Sequence, residues 1–147
     1  MDDSVDFDAF FTRNYVPVVR TLWSYCGDRA VAEEAAQEAF VRASCQWRQV
    51  SAMTAPTAWL YRVARNEVNG HFRRLRARRR AIARHASAVA EEAADIDRAV
   101  SVRMAMRQLP ERQRAVLALH YLADLPVAEI ATVLDAPTGT IKSLLAR

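Results

Sequence analysis

Glycine is the first scarcity, with 3 residues in 147, while alanine supplies 28. Alanine is the best helix former and glycine among the worst, so the composition favours helix along the whole chain. So few glycines also leave no Gly-rich loop of the kind that cradles nucleotide phosphates. No run alternates apolar and polar residues with β-branched enrichment, which excludes a sheet from the expected fold. The two cysteines, Cys26 and Cys45, have no metal-ligand spacing and are expected as buried thiols in a reducing cytoplasm. No apolar run approaches the roughly 20 residues that span a bilayer, and no signal-peptide pattern is present. A soluble, cytoplasmic protein without membrane insertion is therefore expected. No nucleophile–base pair or metal constellation is present, so the expectation is no enzyme, no catalytic residue, no metal and no cofactor. His71, His85 and His120 are scattered and read as structural or surface residues.

Lysine is almost missing: of 21 basic residues 20 are arginine. Guanidinium binds phosphate or guanine in a bidentate way that an ammonium does not. A coding bias in a GC-rich genome explains the same excess, and both explanations stand at this point. The net charge of +4 is distributed unevenly. Residues 1–60 carry −3, 61–84 carry +8, 85–100 carry −3 and 101–147 carry +2. Positive charge concentrated in one helix is the footprint of a phosphate-binding surface.

Hydrophobic residues make up 52% of the chain, ample for helical cores. Phe7, Phe10, Phe11, Tyr15, Val18, Val19, Leu22 and Cys26 recur at helical spacing, with Pro17 predicting a kink or break near Val16. Asp28 suits the cap of a second helix, Arg29–Cys45, which turns Val31, Ala35, Ala39, Phe40 and Ala43 inward. Its other face carries Glu33, Glu34, Gln37, Glu38 and Arg42, a solvated surface or a protein partner's site. A loop is expected over Gln46–Ala55, then a third helix capped by Thr54 or Thr57 with Pro56 in its first turn. That helix carries Trp59, Arg62, Arg65, Asn66, Asn69, Arg73 and Arg74. Trp59 and Tyr61 suit stacking on unpaired bases, although Trp59 also lies on the stripe with Val63 and suits a core equally well. Asn66 and Asn69 suit base edges.

Residues 81–95 read as an alanine-rich linker, partly helical. Beyond it Ile96, Val100, Met104 and Leu109 mark a helix ended by Pro110, followed by helices over Glu111–Leu122, Pro126–Leu134 and Thr138–Arg147. The last two form a helix-turn-helix: Ala131 allows close approach, and Ile141 and Leu144 pack the second helix back onto the first. The start of that second helix, which in such motifs enters the major groove, presents Thr138, Thr140, Lys142 and Ser143. An ordinary helical hairpin is the competing reading. The expected fold is all-α, with two small helical domains over 1–80 and 96–147.

Three segments together resemble an extracytoplasmic-function (ECF) sigma factor of the sigma-70 superfamily. AEEAAQEAFVRA (Ala32–Ala43) resembles the core-polymerase-binding helix, and AWLYRVARNEVNGHFRR (Ala58–Arg74) the minus-ten recognition and melting helix. Leu109–Arg147 resembles sigma domain four, which reads the minus-thirty-five element. The resemblance implies that Glu33, Glu34, Gln37, Glu38 and Arg42 contact the β′ clamp helices of RNA polymerase core. It implies that Gln46–Ala55 captures a flipped base, and that Trp59, Arg62, Arg65, Asn66, Asn69, Arg73 and Arg74 hold the minus-ten strand. Thr138, Thr140, Lys142 and Ser143 would face the minus-thirty-five groove. Promoter DNA and polymerase are the implied partners, and the resemblance also admits an anti-sigma factor. Two departures are visible. Glu34 stands where the family commonly has Asp, and Leu144 where it usually has Arg in a longer basic continuation. The latter implies a weakened grip on the upstream element, or a chain that continues. A stand-alone helix-turn-helix regulator of response-regulator type is the alternative, but it would not need Ala32–Arg74.

Overall fold

The computed structural model describes residues 3–83 and 104–146. Ile96, Val100, His85 and most of the expected linker lie outside the described residues. Helix α1 spans Asp3–Cys26, α2 Arg29–Cys45, α3 Trp47–Ser51 and α4 Pro56–Ala83. After residues 104–107, which are helical, come α5 (Glu111–Leu117), a π-helical turn (Ala118–Leu122), α6 (Val127–Leu134) and α7 (Thr138–Ala146). No strand occurs among the described residues, in line with the all-α expectation.

Helix α1 buries Phe10, Val18, Leu22 and Tyr25. The expected break at Pro17 does not occur, and one helix runs through it. Proline removes a backbone donor, but Val18 and Leu22 immediately after it are locked into the core. Tertiary packing of an apolar face outweighs the local penalty. Gly27 ends the helix at φ +79°, a conformation that favours glycine, and its N–H bonds the Trp23 carbonyl at 2.8 Å. Asp28 then caps α2 as expected, accepting from the Val31 N–H at 3.2 Å. Such a cap is worth about 1 kcal/mol.

Helix α2 buries Ala32, Ala35, Ala36, Ala39 and Ala43 with Val31 and Phe40. Small side chains bring its backbone close to α1 and α4, so its stabilisation comes from close helix approach. Cys45, at its last turn, lies past this buried stripe and is exposed, while Cys26 is half-buried; neither is the fully buried thiol expected. The expected loop over Gln46–Ala55 contains the short helix α3, because Trp47 and Val50 have core positions to fill. Trp47 packs against Phe10 at 5.0 Å between ring centres, in a cluster where Phe11 meets Phe40 at 4.9 Å.

Helix α4 starts at Pro56, with Trp59 N–H bonded to the Ala55 carbonyl at 3.2 Å. Ala55 therefore occupies the entry position expected for Thr54 or Thr57. Residues Ala58, Leu60, Tyr61, Ala64 and Val68 are buried along it. The expected helix over Glu111–Leu122 changes to π geometry at Ala118, where the Ala123 N–H reaches the Ala118 carbonyl at 3.1 Å. In the helix-turn-helix, Asp135 takes φ +51° and the Ala136 N–H bonds the Ala131 carbonyl at 3.0 Å. Ile141 is fully buried and Leu144 packs against the core, as the spacing predicts.

The two helical groups are not held apart. Helix α6 packs on α4 and the π-helical turn packs on α1. Leu22, Tyr25 and Tyr61 face Ala115, Ala118 and Leu119 across the boundary, and one apolar cluster runs through both groups.

Candidate nucleic-acid interface

Helix α4 sorts its polar residues onto distinct faces. Arg62, Asn66, Asn69 and Arg73 recur at four-, three- and four-residue spacing and share one stripe. Of these Arg62, Asn66 and Arg73 are exposed, while Asn69 is half-buried. Arg74 is exposed but turns away from the stripe, towards a cleft lined by Glu34, Glu38, Glu67 and His71. Trp59 is half-buried against the core, and Tyr61 is 2% exposed, so Tyr61 is withdrawn from any base. Burial pushes the Tyr61 hydroxyl up to about 12, against the weaker opposing effect of its Thr21 partner at 3.4 Å. Beyond Arg73, Arg76, Arg78, Arg79 and Arg80 extend the basic surface, all exposed.

The second helix of the helix-turn-helix offers Thr138, Lys142 and Ser143 to solvent, with Thr140 half-buried. Leu144, which stands where an arginine was expected, is occupied in packing and not in phosphate contact.

The outer face of α2 forms a third surface. Glu34, Gln37 and Arg42 are exposed there, with Glu33 and Glu38 partly so. Arg29 pairs with Glu33 at 3.0 Å, and Arg42 bridges Glu38 at 3.1 Å and Glu67 of α4 at 2.6 Å. Val41, 55% exposed on the same strip, escaped the sequence reading. Its signal was available: it follows Gln37 by one helical turn, an apolar residue on an otherwise polar face.

Also missed was the polar cluster at the boundary between the two helical groups. Arg65 is not free for a ligand: it pairs with Glu111 at 2.7 Å. Tyr25 bonds the same carboxylate and lies 2.8 Å from the side-chain amide of Asn69. One phenolic hydrogen serves one acceptor at a time, so the Glu111 carboxylate and the Asn69 side-chain oxygen compete for it. The guanidinium carbons of Arg65 and Arg114 lie 5.8 Å and 5.6 Å from the centre of the Tyr25 ring, within cation–π range. Arg107 lies over Gly27, where even a methyl group would meet its guanidinium at 2.6 Å. Burial first, then the Glu111 carboxylate, push the Tyr25 hydroxyl up to about 12.

Burial alone would raise the Glu111 carboxyl, but bonds from Tyr25 and Arg65 and the charges of Arg65 and Arg114 outweigh it and hold it below the ordinary value. A carboxyl depressed by folding contributes stability that is complete above its unfolded pKa and is lost as pH falls through the lower folded value. Thermal melts from pH 7 down to pH 3 are expected to show a shallower acid limb for Glu111→Gln than for the parent. An unchanged acid limb would remove Glu111 from the account of acid stability.

The fold and these surfaces define a class: an all-helical protein with a helix-turn-helix and three separate polar or charged faces. The Sigma-70 region 2 family matches residues 10–80, and Sigma-70, region 4 matches residues 99–147. The ECF RNA polymerase sigma factor SigC of Mycobacterium tuberculosis is 33% identical over 144 residues, covering 95% of this chain and 77% of the relative. SigW of Bacillus subtilis is 28% identical, covering 88% and 78%. Among solved structures, the sigma factor RpoE in complex with the anti-sigma factor NepR from Bartonella quintana has the same fold, at a TM-score of 0.75 and 21% identity. It covers 97% of this chain and 91% of its own. The chain belongs to the ECF sigma factors of the sigma-70 superfamily. Members are transcription initiation factors, not catalytic enzymes. No helix among the described residues is long and apolar enough to cross a membrane.

Proposed function

We propose that this chain directs RNA polymerase core to specific promoters in the cytoplasm and assists strand opening, without catalysis of its own. Residues 1–80 act as sigma domain two and 96–147 as domain four. Glu33, Glu34, Gln37, Glu38 and Arg42, with Val41 among them, dock on the β′ clamp helices. Arg62, Asn66, Asn69 and Arg73 take the minus-ten strand, with Arg65 joining them once released from Glu111. Trp59 borders that surface and Arg74 lies outside it. Thr138, Thr140, Lys142 and Ser143 face the minus-thirty-five groove.

The observation that carries this reading is the exposed Arg62–Asn66–Arg73 stripe on α4 beside a separate acidic α2 face in the same chain. A stand-alone regulator needs the helix-turn-helix alone, and nothing in α1–α4 would then have a task. Mixing the full chain with core polymerase on selected promoter DNA is expected to give promoter-specific transcripts. Operator binding without polymerase, and no specific transcript with it, would instead establish the regulator.

A further inference from the structure

Arg73 and Arg74 are neighbours in the chain but not on the helix surface, because successive helical residues point about 100° apart. Arg73 continues the stripe of Arg62, Asn66 and Asn69. Arg74 instead lines the cleft between α2 and α4 with Glu34, Glu38, Glu67 and His71, around a space of about 70 Å³. Gly70, one turn earlier, makes room for both. Helical side chains lean back towards the N-terminus, and the third and fourth residues after Gly70 flank it on either side. A methyl group on Gly70 would meet the Arg74 Nη1 at 3.4 Å and the Arg73 Nη2 at 3.8 Å. The two guanidinium groups thus diverge around a residue that has no side chain to block them.

The cleft holds charge of both signs and leaves part of it unmatched. Glu38 and Glu67 are both taken by Arg42, at 3.1 Å and 2.6 Å. Glu34 and Arg74 are exposed, and neither has an ion pair among the described residues. Exposed pairs gain little, so leaving these two unmatched costs the free chain little. A partner that expels water from the cleft has to bring an opposite charge to each of them. Phosphate does not suit this place: three carboxylates line the cleft beside Arg74, and like charge set against like opposes docking. The cleft is also continuous with the outer face of α2, since Glu34 and Glu38 belong to both.

We propose that Arg74 belongs to the polymerase-docking surface and not to the strand-reading one. The outer face of α2 and Arg74 of α4 together receive a polymerase helix that carries acid and base on one face. A carboxylate of that helix meets Arg74, and a basic side chain meets Glu34. Docking then spans two helices of this chain, and the change from Arg73 to Arg74 divides nucleic-acid contact from protein contact. This rests on the docking reading of α2, and the experiment includes Glu34 so that the two fail separately.

The test uses the full chain, as parent, Arg74→Gln, Arg74→Lys, Arg73→Gln and Glu34→Gln. Fluorescence anisotropy of the labelled chain, titrated with core polymerase at fixed moderate salt, reads docking. A fluorescent base analogue in the minus-ten element, at saturating core, reads opening. Arg74→Gln and Glu34→Gln are each expected to weaken core binding about 10-fold, with opening at saturating core within about twofold of the parent. Arg73→Gln is expected to do the reverse, losing about 10-fold in opening while core affinity stays within about twofold. Arg74→Lys keeps the charge and is expected to bind core more tightly than Arg74→Gln, which separates loss of charge from misfolding. Unchanged core affinity for Arg74→Gln, with a loss for Glu34→Gln, would overturn the role of Arg74 and leave the α2 reading standing. A fall in opening at saturating core as large as that of Arg73→Gln would make Arg74 a strand contact and overturn the proposal too. If neither Glu34→Gln nor Arg74→Gln changes core affinity, the docking reading of α2 fails and this inference with it.

Discussion

Promoter opening is expected to fall about 100-fold when Arg62 and Asn66 are both replaced by alanine, with polymerase binding unchanged. Both side chains are exposed on the α4 stripe and have no part in the boundary with α5, so their loss leaves the fold alone. A hydrogen bond to a charged group contributes about 1.5–3 kcal/mol and a neutral one about 1 kcal/mol. Together they approach 3 kcal/mol, and each 1.4 kcal/mol is about tenfold. A fluorescent base analogue in the minus-ten element, read in the assembled holoenzyme, measures opening directly. Binding of the variant to core, followed separately, checks the assignment of faces: loss of polymerase affinity would show that the stripe, not α2, is the docking surface. Arg65 is the wrong residue for this experiment. Its removal frees Glu111 as well as depleting the strand-reading edge, so two opposed effects would be read as one.

The largest loss of stability is expected from Leu60→Ala. Leu60 is 0% exposed on the buried side of α4 and is among the largest fully buried side chains of the described residues. The surrounding helices relax only partly into such a gap, so a cavity persists. Leucine-to-alanine changes of this kind cost about 2–5 kcal/mol. For a chain of this size that corresponds to a fall in Tm of about 10 °C. Circular dichroism during a thermal ramp reads it. A fall of only a degree or two would mean that the helices collapse into the vacated space, and that α2 and α4 are held by something other than Leu60.

Much of the helical pattern is legible in local chemistry. Asp28 followed by an alanine-rich run is a cap before a helix, and the structure has Val31 N–H on its carboxylate. The Ile141 and Leu144 spacing placed the second helix of the helix-turn-helix, and Ile141 is fully buried. Local signals failed where distant packing competed with them. Pro17 carries a helix-breaking penalty, but the neighbouring Val18 and Leu22 are pinned by other helices, and the helix continues. Gln46–Ala55 has loop composition, but Trp47 and Val50 have a core to enter and wind α3 around themselves. Tyr61 has the type and place of a stacking residue, but one face of α4 belongs to α2 and α1, and Tyr61 falls on it.

The candidate surfaces divide in the same way. Charge and spacing alone put Arg62, Arg65, Asn66, Asn69, Arg73 and Arg74 off the apolar face of one helix and Glu33, Glu34, Gln37, Glu38 and Arg42 on the outer face of another. Only the structure separates Arg62, Asn66 and Arg73, which are exposed on one stripe, from Arg65 and Arg74. Nothing local announces that Glu111 will sit against Arg65, 46 positions earlier in the chain. An ion pair between separate helical groups depends on where those groups come to rest, and no period of 3.6 residues carries that information.

The amino-acid sequence by itself determined that the chain is helical, that its positive charge gathers on one helix and that a helix-turn-helix closes its described part. Those properties follow from propensity, charge and repeat length, which act over a few residues. Only the tertiary structure decided that the two helical groups lie against each other and that Arg65 and Asn69 face Tyr25 and Glu111. Such contacts arise from the packing of surfaces assembled from distant segments, and come into being only when the chain has folded.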